Sequence, residues 1–113
     1  KVMQAGELAR AMGMELLTPE LSRQEMEING CYLGDLLSNV MGKAAPGELW
    51  FTVITNINII AVASLIGLPG VVVLEGNRPE TAVLERAEDQ KIPVFSLDKS
   101  AYEAALAFRG LEK

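Results

Sequence analysis

The chain is expected to fold as one α/β domain, residues 1–113, with a mainly parallel sheet flanked by helices in a three-layer-like arrangement. Three observations lead there. Strand-like and helix-like segments alternate through the second half with short connections, and parallel strands need crossover helices. Half of the residues are apolar and 22% are charged, which is a globular balance rather than a disordered one. A length of 113 residues suffices for one hydrophobic core and not for two ordinary ones.

Taken along the chain, Ala5, Leu8, Ala9 and Met12 recur at helical spacing, and Gly13 ends that helix. Met14 to Leu17 reads as a short strand, and Thr18-Pro19-Glu20 as a turn. Met26 to Asn29 alternates apolar and polar, which predicts a half-buried strand reaching toward Gly30. Leu36, Leu37, Val40 and Met41 share one face of a short helix, with Asp35 placed to cap it. After the turn Ala45-Pro46-Gly47, Leu49 to Ile54 reads as a strand. Thr55 and Asn56 are good caps for a helix from about Ile57 to Gly67. Val71 to Leu74 is a continuous β-branched strand, followed by the turn Gly76-Asn77-Arg78. Pro79 suits the first position of the next helix, which ends near Gln90. Pro93 to Leu97 is a further strand. Ser100 and Glu103 have capping-box spacing and open a last helix through Phe108, stopped by Gly110.

The formal charge is −5 and Lys/Arg residues nowhere cluster, so affinity for nucleic acid or an anionic membrane is not expected. The one cysteine, Cys31, allows no internal disulfide and fits a reducing compartment, so a cytoplasmic location is expected. The chain has no histidine, which removes His-based triads and the usual zinc sites. No cofactor and no metal are expected. The most apolar stretch, Ile57 to Leu74, is interrupted by Pro69 and Gly70, and neither side is long enough to span a bilayer. No basic stretch followed by an apolar run stands at the start, so no signal peptide is expected. The first residue is Lys1 rather than Met, as in a sequence cut from something longer.

Gly42-Lys43 fails as a phosphate loop. The glycine required five residues earlier is Leu37, and the hydroxyl residue required next is Ala44. No Gly-x-Gly-x-x-Gly follows any expected strand. Kinase activity is therefore not expected. Asp35 and Ser38 read either as polar groups at a site or as a helix cap beside an exposed hydroxyl, the commoner arrangement. Thr55-Asn56 and Gly76-Asn77-Arg78 each lie at the C-terminal end of an expected parallel strand and the start of a helix. Ligands bind at that edge in open α/β sheets, and helix N-termini attract anions. Arg78 adds a planar, charged fork for a phosphate or carboxylate. The competing reading makes all of these turn and cap residues, with Arg78 solvated or paired with Glu75. Cys31 has no histidine or lysine neighbour in sequence to activate it, so it reads as a small half-buried residue. Trp50 and Phe51 are expected on opposite faces of their strand.

Gly34 to Met41, Pro46 to Trp50, Thr55 to Ala63, Val71 to Asn77 and Ile92-Pro93-Val94 follow one another in an order that resembles the DRTGG domain, in the stand-alone form found near iron hydrogenase genes in anaerobic bacteria. The resemblance covers almost the whole chain. The Asp-Arg part of the family signature falls near Asn56 and Ile57, and the Thr-Gly-Gly part at Glu75-Gly76-Asn77, so one glycine remains. Related domains are joined to CBS domains in a regulated pyrophosphatase, stand at the front of some phosphate acetyltransferases, and form the N-terminal domain of the HPr kinase. A more distant similarity runs to the N-terminal domains of Mur ligases, over Asp35 to Phe51 and without their arginine. The resemblance implies a regulatory or scaffold domain that forms a homodimer and binds a small anionic ligand or nucleotide. The alternatives are an enzyme or enzyme subunit acting on a phosphorylated metabolite, and a pure protein-interaction module. The expected ligand site is Thr55, Asn56, Gly76, Asn77 and Arg78, with Asp35 and Ser38 on its rim.

Overall fold

Leu49, Phe51, Val72, Leu74, Phe95 and Leu97 lie in one core cluster, and their sequence neighbours Trp50, Val71, Val73 and Val94 lie in another. The period of two sends successive side chains to opposite faces of a sheet. Both faces are apolar, so both are covered, which makes three layers.

The computed structural model describes residues 1–112. Its elements are β1 (Val2–Gln4), α1 (Ala5–Met12), β2 (Glu15–Leu16), a 3₁₀ turn (Pro19–Leu21), β3 (Glu25–Glu27), β4 (Gly30–Leu33), α2 (Leu37–Lys43), β5 (Glu48–Thr52), α3 (Asn58–Ile66), β6 (Val71–Leu74), α4 (Thr81–Asp89), β7 (Val94–Leu97) and α5 (Ala101–Leu111). The main sheet has the order β2-β7-β6-β5-β4. Strands β4 to β7 run parallel, and β2 closes one edge antiparallel to β7.

Each parallel strand is added on the same side of the one before it. Right-handed crossovers then place α2, α3 and α4 on a single face. Val40, Ile59, Ile60, Val83 and Ala87 pack there around the buried Trp50. The indole N–H of Trp50 donates to the Gly34 carbonyl at 2.9 Å, so the ring is buried without an orphaned donor. Helices α1 and α5 cover the other face through Leu8, Met12, Ala104 and Phe108. Phe108 meets Phe51 edge to face, with ring centroids 5.9 Å apart.

The second half follows the expected order of elements, and the first half departs from it. Of the strand expected over Met26 to Asn29, only Met26 and Glu27 are strand, in β3, and a second strand, β4, starts at Gly30 in another sheet. β3 pairs antiparallel with β1, a strand absent from the sequence reading, and β4 joins β5 in the main sheet. The switch lies at Ile28-Asn29, whose successive N–H groups donate to Lys1 O and Gly47 O. Of Met14 to Leu17, only Glu15 and Leu16 are strand. Met14 N–H instead donates back to Ala9 O, closing α1 behind the left-handed Gly13.

Three helix-end expectations are corrected. Asp35 does not cap α2, whose cap position is Leu36 and carries no side-chain hydrogen bond. Pro79 lies two residues before α4, and Glu80 occupies the cap position. Gly110 does not stop α5, which continues to Leu111. Gly110 has no positive φ and nothing crowds it, so it stays helical at a cost of about 1 kcal/mol relative to alanine. The Ser100–Glu103 capping box forms as expected, with Glu103 N–H on Ser100 Oγ at 3.2 Å and Ser100 N–H on Glu103 Oε1 at 3.1 Å.

Candidate functional site

The loops after β4, β5 and β6 open at one edge of the sheet, because parallel strands deliver their C-terminal ends together. The residues expected to form a site do not converge there: Asp35 lines an opening on one face, Thr55 and Asn56 one on the other, and Ser38, Gly76, Asn77 and Arg78 line neither. In open α/β sheets a crevice forms where the strand order reverses and successive helices separate to opposite faces. Here β4 to β7 follow in sequence with no reversal, so α3 and α4 start side by side on one face. Only α5, after β7, crosses to the other.

On the α5 face a cleft of about 180 Å³ is lined by Leu33, Gly34, Asp35, Phe51, Val53, Leu74, Glu75 and Ala101. Its floor is apolar and its lip carries two carboxylates. Asp35 Oδ1 accepts from the Thr52 hydroxyl at 2.8 Å and from Val53 N–H at 2.9 Å, so it ties the end of β4 to the end of β5. Thr52 is fully buried, and its Oγ1 accepts from Ile54 N–H at 3.2 Å. Asp35 therefore holds the cleft's shape with one oxygen.

Glu75 and Gly76 both have positive φ, 62° and 75°, and Asn77 N–H donates to Leu74 O at 3.2 Å. This two-residue reversal has the shape of a type I′ turn, which favours glycine or asparagine at both central positions. Gly76 is tight as well as left-handed, since a Cβ there would stand 3.1 Å from Asp98 Oδ1. Glu75 holds its strained conformation at the mouth of the cleft, with its N–H bonded to Lys99 O.

On the opposite face, Thr55, Asn56 and Ile57 line a recess of about 410 Å³ with Glu80, Ala82 and Val83, between the starts of α3 and α4. Asn56 Oδ1 accepts from Asn58 N–H at 2.9 Å and so holds the first turn of α3. The Thr55 side chain makes no hydrogen bond among the described residues, so it is not a cap. Asn77 turns its side-chain amide back onto Leu74 O at 3.0 Å. Ser38 is exposed on α2 and lines neither opening.

Arg78 points along the sheet edge to β2, where its two terminal nitrogens meet the two oxygens of Glu15 at 2.7 and 3.1 Å. Its partner is Glu15, not Glu75. The guanidinium beside Glu15 holds that carboxyl below the usual glutamate range, and the carboxylate raises Arg78. Sequence spacing carried no sign of this pair, because the residues lie far apart in the chain and meet only through the β2–β7 pairing. Of the cleft residues, sequence reasoning named Asp35 alone as part of a site and missed Leu33, Gly34, Phe51, Val53, Leu74, Glu75 and Ala101. The glutamate's position beside Gly76 in the turn that ends a parallel strand was the available signal.

Chemically, the α5-face cleft suits a flat or apolar group whose rim offers hydroxyl or amino donors to carboxylates. Fixed positive charge is absent from the residues lining either opening. Among the described residues no His/Cys/Asp/Glu group could hold a metal ion, and no helix is long and apolar enough to cross a membrane. Burial, followed by Glu112 and Glu48, pushes the Cys31 thiol up, so it is a poor nucleophile.

No protein-family model matches the chain, and no curated protein matches it significantly. Among solved structures, the CBS and DRTGG domains of the regulatory region of Clostridium perfringens pyrophosphatase, complexed with the activator diadenosine tetraphosphate, superpose with a TM-score of 0.71 at 13% sequence identity. The match covers 88% of this chain and 43% of that one, so this chain corresponds to less than half of that regulatory region. The chain has a DRTGG-like fold.

Proposed function

We propose that this chain is a regulatory domain that works as a cytoplasmic homodimer and senses a small ligand, a nucleotide by preference, at the C-terminal edge of its sheet. The observation that carries the reading is the likeness of its fold to part of a regulatory region, one whose activator is a nucleotide. The chemistry at the edge supports it. A cleft of about 180 Å³ is below the usual ~300–1,000 Å³ of a whole-ligand pocket, so it accepts one ring or sugar and leaves the rest in solvent. Leu33 and Val53 offer apolar contact over a floor of buried Phe51 and Leu74, and Asp35 and Glu75 accept hydrogen bonds from hydroxyls such as those of ribose. Phosphates stay outside, away from the two carboxylates. Thr55, Asn56, Gly76 and Asn77 remain second candidates on the same edge, whereas Arg78 is available only if its pair with Glu15 opens.

The test is native mass spectrometry of freshly purified protein, followed by calorimetric titration with adenosine, AMP, ATP and diadenosine tetraphosphate. Binding of at least one nucleotide is expected. Glu75→Gln should weaken it about threefold to tenfold, in line with a hydrogen bond that keeps its acceptor oxygen and loses its charge. Arg78→Ala should leave it unchanged. No retained mass and no binding across the panel would move the reading to a pure interaction module. Turnover of phosphate esters by repurified protein would favour the enzyme reading instead.

A further inference from the structure

The two edges of the main sheet are finished differently. At one edge β2 is two residues long, antiparallel and flanked by the Glu15–Arg78 ion pair, which blunts it against pairing. At the other edge stands β4, Gly30-Cys31-Tyr32-Leu33, four residues long. From Ile28 to Gly34 the chain has no charge and no proline, so β4 lacks the usual protection of an exposed edge.

The ladder settles which backbone groups are free. Trp50 N–H donates to Gly70 O on the β6 side, so Leu49 and Phe51 are the β5 residues whose backbone faces β4. Gly34 N–H donates to Phe51 O, in agreement. With Tyr32 opposite Trp50 in register, Tyr32 bonds to β5, and the N–H and C=O of Cys31 and Leu33 point off the edge. Among the described residues no hydrogen bond outside the strand ladder reaches the backbone of either one.

We propose that β4 pairs antiparallel with β4 of a second copy about a twofold axis at Tyr32, joining two five-stranded sheets into one. This rests on the homodimer reading and names its surface. Cys31 of each copy then stands opposite Leu33 of the other, the hydrogen-bonded positions, and closes about four backbone hydrogen bonds. The two Tyr32 residues face each other at the intervening non-hydrogen-bonded position. A second copy is favoured over another partner by symmetry, because the free groups of Cys31 and Leu33 lie on either side of Tyr32 and a twofold copy satisfies all of them with the same two residues. Each chain carries −5, and Asp35, Glu48 and Glu112 stand near the strand, so the pairing works against a like-charge repulsion that salt screens.

The test combines sedimentation with cross-linking. Wild type is expected as a dimer that tightens with added salt. Leu33→Pro removes an N–H that faces away from β5, so the fold should persist by melt and circular dichroism while the dissociation constant rises at least about tenfold. In a Cys31→Ser background, Tyr32→Cys should form an interchain disulfide on mild oxidation, since its Cα separation of about 4.5 Å suits one. A wild-type dimer unaffected by Leu33→Pro and not cross-linked through Tyr32→Cys overturns β4 pairing and leaves the dimer intact. A wild type that stays monomeric overturns both.

Discussion

Replacing Asp35 with alanine removes the link between the ends of β4 and β5. Two hydrogen bonds to one carboxylate oxygen are lost, from Thr52 Oγ1 at 2.8 Å and from Val53 N–H at 2.9 Å. The Thr52 hydroxyl sits on a fully buried residue and loses its acceptor, while Val53 N–H is exposed and recovers water. A hydrogen bond to a charged group contributes about 1.5–3 kcal/mol, so one largely uncompensated loss predicts a destabilisation of about 2 kcal/mol. Unfolding entropy near 2.1 cal/mol/K per residue gives this chain about 0.24 kcal/mol/K, so Tm falls by about 8 °C. Asp35→Asn keeps an oxygen at the same place without the charge and should lose about half as much. The assay is thermal unfolding at neutral pH and one fixed protein concentration, because a dimer's Tm depends on concentration. A double-mutant cycle with Thr52→Val should return a coupling of about 0.5–1.5 kcal/mol. A melt of Asp35→Ala within about 1 °C of wild type, or a cycle with no coupling, would refute the role assigned to this carboxylate.

Three further outcomes are expected. Glu75→Gly relieves a left-handed conformation that costs a side-chain-bearing residue about 1 kcal/mol, so it should raise Tm by a few degrees. A lower Tm would mean that the glutamate side chain stabilises the turn. Gly70→Ala places a Cβ 3.0 Å from the Pro93 carbonyl and 3.1 Å from Met26 Cε in the core, and denaturant titration should report a loss of about 1–3 kcal/mol. Arg78→Ala should change the neutral-pH melt little, because the pair is exposed. The depressed Glu15 carboxyl gives wild type an advantage present above the ordinary glutamate range and lost as pH falls through the folded-state value, so the melts of the two proteins should converge in acid.

The α/β class and the order of elements from β5 to α5 were legible in residues 49–110, because buried parallel strands and their crossover helices each leave a local pattern. Val71 to Leu74 is uniformly apolar where both faces are covered, and Ser100 with Glu103 form their cap within four residues of chain. The likeness to DRTGG domains was likewise legible, since it rests on the order of pieces. The edge that gathers the candidate site followed from parallel strands alone.

What tertiary structure alone decided involves groups distant in sequence. β1 and β4 are short and take their strand character from partners, β3 and β5, so no local period announces them. Asp35 looked like a cap because it precedes a helix, yet Thr52 and Val53 offered two donors that a local reading could not place. Arg78 looked like an anion's partner until the antiparallel β2 brought Glu15 within 2.7 Å. Whether turns on one edge share one cleft depended on which face each helix takes. The unreversed strand order β4 to β7 put Asp35 and Glu75 with α5, and Thr55 and Asn56 with α3 and α4. Local pattern thus determined the elements from β5 to α5, and non-local pairing determined β1, β4 and which side chains were already occupied.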